Sequence, residues 1–142
     1  MRRSLAALTA LPNVANGLWM LFASQSWYAT VPGVTHTGPF NPHFVQDIGV
    51  AFLVAGLGLA ARSWRPALWP AAVTGAAFLA AHGLIHLADI FKGHVESPTL
   101  DIAAVVTPAI IALYASLPDK EPPHAPMVRT ALSETDERPL SL

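Results

Sequence analysis

Charge is almost absent from three long stretches of this chain. Between Ser4 and Ala61 the only acidic or basic residue is Asp47, and none occurs from Pro66 to Ala88 or from Ile102 to Pro118. An α-helix needs about 20 apolar residues to cross a hydrocarbon core of about 30 Å, and uncharged runs of that length mark membrane spans. Four such segments can be drawn, at about 5–23, 43–61, 66–90 and 100–117. Lipid offers no partner to a backbone N–H or C=O, so each must be a helix or a strand of a closed barrel, and the alternating pattern of barrel strands is missing. The expected fold is all-α: an integral membrane four-transmembrane-helix bundle over 1–117. A Pro-rich polar tail over 118–142, with Pro122, Pro123 and Pro126, is expected to be disordered or held by a partner.

Composition removes several classes of function. Of 142 residues, 53% are hydrophobic and 12% charged, about half the charge of an ordinary soluble domain, which argues against a soluble enzyme. A net charge of −1 leaves no basic excess to neutralise phosphates, so nucleic acid is not an expected partner. The absence of cysteine excludes disulfides, thiolate metal sites, Fe–S clusters and cysteine nucleophiles. A metal would have to be held by His, Asp, Glu or backbone oxygen.

Arg2 and Arg3 ahead of an apolar run imitate a secretory signal, but Leu21 and Ala23 form a poor small-x-small cleavage site, so a retained helix is expected. Its interior holds Pro12, Asn13 and Asn16, which should face neighbouring helices. Arg2, Arg3, Arg62, Arg65, Lys120, Arg129 and Arg138 fall at one side of the expected topology and only Lys92 at the other. The positive-inside rule then makes both termini cytoplasmic in a multi-pass inner-membrane protein, whose partners are the lipid bilayer and either a membrane complex or a second copy. Trp27 and Tyr28 on one side, with Trp64, Trp69 and Tyr114 on the other, fit aromatic belts. The uncharged loop from Ser24 to Pro42 is expected to pack over the outer mouth as an ordered lid.

Ionisable groups recur in one region. The second segment opens Asn41-Pro42-His43-Phe44-Val45-Gln46-Asp47, and the third ends His82-Gly83-Leu84-Ile85-His86-Leu87-Ala88-Asp89. Residues four apart share a helix face, so His43 and Asp47 form one column and His82, His86 and Asp89 another. Gly75 and Gly58 continue these columns and suggest faces turned toward other helices. Antiparallel packing brings both columns, with Asn16, to the outer half of the bundle. An Asp at a helix centre costs roughly 2.5–3.5 kcal/mol on insertion scales, so such groups imply a functional site.

Four readings compete. The first is a transition-metal site of His43, Asp47, His82 and His86 for iron, zinc, copper or manganese, supporting redox or hydrolytic chemistry, with Asp89 and Asn16 beside it. The second is haem b clamped between His43 and one histidine of the third segment. The third is metal-free proton chemistry by Asp–His pairs. In the fourth, Asp–His bonds only tie helices together in an accessory subunit of a membrane complex. Asp101, just ahead of Ile102, is placed to cap the last helix, and His36, His94 and His124 read as loop or tail residues.

The His82-x-x-x-His86 spacing resembles one histidine box of the membrane fatty-acid desaturases and hydroxylases, whose di-iron sites draw on several such boxes. The resemblance covers five residues, and the adjacent His-His boxes of those families do not occur here. It implies that paired imidazoles at a membrane rim can hold iron.

Overall fold

The computed structural model describes residues 1–119. Helix α1 spans Arg2–Phe22, the short α2 Ser24–Thr30, α3 Pro42–Trp64 and α4 Trp69–Lys92, with one 3-10 turn at Val34–His36 and another at Pro66–Leu68. The last span starts as α5, Pro98–Asp101, passes through a π-helical turn at Ile102–Val106, and ends as α6, Thr107–Ser116. Four of these runs are long and apolar enough to cross a membrane: Arg2–Phe22, Pro42–Trp64, Pro66–Lys92 and Pro98–Ser116. The described residues contain no strand. Each long helix extends past the apolar segment read from sequence at one end, and α3 at both, because amide hydrogen bonds continue into residues that a hydropathy window leaves out. The expected tail lies outside the described residues, apart from Pro118 and Asp119.

The helices form a ring in which α1 packs on α3, α3 on α4, α4 on α6 and α6 on α1. The core is made of small residues: Ala10, Ala55, Ala72, Ala76, Ala109 and Ala112, with Leu59 and Leu79. Large apolar side chains point outward instead, Leu11 at 73% exposure and Phe22 at 85% among them. This inside-out distribution suits lipid, where no hydrophobic force drives helices together and close van der Waals approach must do so.

Glycines set that approach. A Cβ on Gly17 would lie 2.6 Å from the Leu53 nitrogen, and one on Gly75 would lie 2.7 Å from Ala55 Cα and O. These are backbone atoms, so only a shift of a whole helix could make room. Gly58 sits likewise against the Ala71 carbonyl, so both glycines of the polar columns do face neighbouring helices. In α1, Asn13 is buried and donates to the Thr9 carbonyl at 2.7 Å. Pro12, expected to face inward, is exposed; its apolar ring suits lipid and it has no N–H to satisfy.

Arginines gather at one end of the ring. Arg2 donates to the Pro118 carbonyl, and Arg3 to those of Ser63 and Trp64 at 3.0 and 3.1 Å. These carbonyls lie at or just beyond the ends of α6 and α3, where a helix leaves acceptors without intrahelical donors. Arg62 is fully buried, donating to Leu117 O and pairing with Asp119 Oδ1, both at 3.0 Å. Its Nε and Nη1 are sealed without partners.

Both the glycine contacts and the buried Arg62 set expectations for stability. Gly75→Ala should cost about 1–3 kcal/mol through overpacking, seen as a lower unfolding midpoint in detergent. Gly83→Ala, whose new carbon would meet Ala109 Cβ at 3.4 Å, should stay within about 1 kcal/mol of wild type, since alanine also favours the helix. Asp119→Ala should cost about 1–3 kcal/mol despite the carboxylate's partial exposure, because it strips a buried guanidinium of its counter-charge; Arg62→Met in the same background should recover much of the loss.

Candidate functional site

The helix end opposite the arginines holds the ionisable groups. Gly93, with φ of 72°, ends α4 in the left-handed region, and the His94 N–H reaches back to the Asp89 carbonyl at 2.9 Å while the Gly93 N–H reaches that of Ile90 at 3.1 Å. Only glycine takes this conformation without strain. The tight reversal brings Pro98–Asp101 back alongside α4.

Asp101 then meets His86: its Oδ2 lies 3.1 Å from His86 Nδ1, with both side chains largely shielded. Asp101 stands one residue before the π-helical turn. Pro108 explains that turn, since it offers no N–H and its ring crowds the carbonyl of Ala104, and a widened turn relieves the clash. Such turns are frequent beside functional groups. Asp101 is not the cap of the final helix, as its position ahead of Ile102 suggests. Helix begins at Pro98, and the carboxylate turns to the imidazole instead.

His82 lies one turn further in, about 15 Å along α4 from Lys92. Its ring stands edge-on to Phe52 at 5.2 Å, stacks on Phe78 at 6.2 Å and meets the His86 ring at 4.8 Å. Phe52 and Phe78 themselves touch edge to face at 5.3 Å. A line of polar groups therefore runs from Asp101 through His86 to His82 and stops against two aromatic rings. Beyond His82, toward the arginine end, α4 buries Leu79, Ala76, Gly75 and Ala72, so the line has a closed inner end. Neither His82 ring nitrogen has a hydrogen-bond partner among the described residues, and the only sealed, unpartnered side-chain atoms are those of Arg62. The imidazole nitrogens thus reach the surface of the chain.

The other candidate residues are placed elsewhere. His43 pairs with Asp47 at 3.5 Å, as their spacing predicts, but the two are 85% and 62% exposed. The buried face of α3 runs through Val45, Gly49, Ala55, Leu59 and Arg62, and residues two positions off that line, like 43 and 47, point about 200° away. Asn16 accepts from Trp27 Nε1 at 2.8 Å and ties α1 to α2. Asp89 pairs with Lys92 at 3.5 Å. Among the described residues no group of three or more His, Asp or Glu side chains is arranged to hold a metal ion.

The loop after α1 is organised by α2 and by Tyr28, whose hydroxyl donates to the Gly38 carbonyl at 2.7 Å while its ring meets Phe40. His36 and Glu96, 2.9 Å apart, join this loop to the one between α4 and α5. Compared with protein-family models, curated proteins and solved structures, the chain matches none of them.

The sequence reading gives Asp101 the role of a cap and assigns none to Phe52 or Phe78. The signal for Asp101 was that it directly abuts an uncharged span; Phe78 stands four residues before His82 on α4 and shares its face by spacing, whereas Phe52 reaches His82 only once α3 lies on α4. A double-mutant cycle between Asp101→Ala and His86→Ala in detergent unfolding should give a coupling of about 0.5–1.5 kcal/mol. Additive effects would mean that the carboxylate acts as a cap or not at all.

Proposed function

We propose that the chain is a multi-pass inner-membrane protein, with both termini cytoplasmic, whose working site is the Asp101–His86–His82 line opening toward the periplasm. In this reading the line handles protons for a substrate that reaches the outer half of the bundle. The observation that carries it is the 3.1 Å bond between Asp101 Oδ2 and His86 Nδ1 beside an unpartnered second imidazole. A carboxylate on Nδ1 holds the imidazole in one tautomer and leaves Nε2 as the basic nitrogen. Polarity that ends at Phe52 and Phe78, rather than crossing the bundle, supports an acid–base site over a conducting path. The arginine end supports the cytoplasmic assignment through the positive-inside rule.

A transition-metal site is the second reading, favoured by the same bond. A carboxylate on the far nitrogen is the common support of a metal-bound imidazole, and His82 with His86 present two rings on one helix face. His43 and Asp47 do not join them in this geometry, so water, substrate or another chain would complete the coordination. Among the described residues no imidazole stands opposite His82 or His86 as a second ligand for haem b.

Elemental analysis and histidine ring 15N spectra on one nanodisc sample separate these readings. Proton chemistry predicts protein without stoichiometric iron, zinc, copper or manganese, in which the His86 ring signals report one tautomer with the proton on Nδ1, a preference lost in Asp101→Ala. Near-stoichiometric metal, lost in His82→Ala and His86→Ala and bound roughly 10–100-fold more weakly in Asp101→Asn, would replace it with the second reading. A mixture of His86 tautomers unchanged by Asp101→Ala, without metal, would leave neither standing.

A further inference from the structure

A groove of about 340 Å³ runs along the outside of the α1–α3 pair, floored by Ala7, Ala10 and Ala60 and walled by Leu11, Val14 and Leu57. Arg3 reaches over its Ser63 end, and Arg65 follows two residues later in the chain. Arg3, one turn ahead of Ala7, uses Nε and Nη2 on the Ser63 and Trp64 carbonyls, which leaves Nη1 directed elsewhere. Arg65 lies over the Trp64 ring at 4.6 Å, and Trp64 is 71% exposed. Neither Arg3 nor Arg65 has a carboxylate partner among the described residues; the pair formed by Arg62 is with Asp119.

We propose that this groove is the seat of one anionic phospholipid from the leaflet at the arginine end. The phosphate would lie between Arg3 and Arg65, and one acyl chain would follow the alanine floor toward Val14, roughly 10 Å along α1 from Ala7. Several features point to this occupant. Guanidinium N–H groups make charge-assisted hydrogen bonds to phosphate oxygens, and Arg3 Nη1 remains for one. Trp64 stands where an interfacial ring anchors at headgroup level. Of the charged residues described at this end, Arg2, Arg3, Arg62 and Arg65 are opposed only by Asp119, a balance that selects a net-negative headgroup over a zwitterionic one. The alanine floor leaves open a groove that larger residues would fill.

The test is native mass spectrometry of the full chain, purified in a non-ionic detergent and offered equal phosphatidylglycerol and phosphatidylcholine. Wild type should retain one phosphatidylglycerol in preference to phosphatidylcholine. Arg3→Gln/Arg65→Gln should lower that retention roughly tenfold or more. Ala7→Leu/Ala60→Leu, which fills the groove with both arginines in place, should lower it too, with helix content unchanged by circular dichroism. Equal retention of the two lipids, or retention unaffected by the groove-filling pair, would overturn the proposal. Because the chain has no cysteine, a single Ala7→Cys also reports directly on a rival occupant: disulfide-linked dimers in native membranes would give the groove to a second copy instead.

Discussion

Backbone-to-backbone contact between helices is the constraint on which the rest of this structure depends. In lipid, leucine gains nothing by leaving acyl chains for another helix, so association rests on how closely the helices approach. Gly17 against Leu53 and Gly75 against Ala55 allow α1, α3 and α4 to close to a distance that any side chain would prevent. That distance brings Phe52 of α3 to the His82 ring of α4. The site therefore inherits its geometry from contacts made roughly a turn or more away from it, by residues with no chemistry of their own.

The two ends of the bundle solve opposite problems. At the arginine end, guanidinium groups satisfy the carbonyls that α3 and the last helix leave unpaired, and tie the start of α1 to both. At the other end the chain must reverse quickly between α4 and α5, and it does so through the left-handed Gly93. That reversal places a carboxylate against an imidazole, one turn out from the unpartnered His82. Pro108 and the π-helical turn ahead of it then let the helix continue after Asp101. A proline that would break a soluble helix here only widens one turn, because packed neighbours hold the rest in place.

Much of the fold was legible because lipid imposes a simple rule: uncharged stretches of sufficient length are helices, and Asp47 is the only charge across the first two. Gly58 and Gly75 could be read as helix-facing from their spacing. The site was less legible. His82 and His86 share a face as their spacing requires, but the rotation of α3 sends His43 and Asp47 outward, and that rotation is set by Gly49 packing on α1 and Ala55 on α4. Helical spacing establishes which residues share a face without establishing which neighbour the face meets. Asp101 was read as a cap for the same reason: its partner lies 15 residues earlier, beyond the reach of any local pattern.

The central claim is a four-span bundle whose histidine end and arginine end lie on opposite sides of the membrane. Since the chain lacks cysteine, single substitutions Ser4→Cys, Thr35→Cys, Ala67→Cys and Ser97→Cys can each be probed in intact cells with a membrane-impermeant maleimide. The account predicts labelling of Thr35→Cys and Ser97→Cys from outside, and of Ser4→Cys and Ala67→Cys only after the membrane is opened. Labelling of Ala67→Cys and Ser97→Cys from the same side would contradict it, because α4 would then not span the membrane.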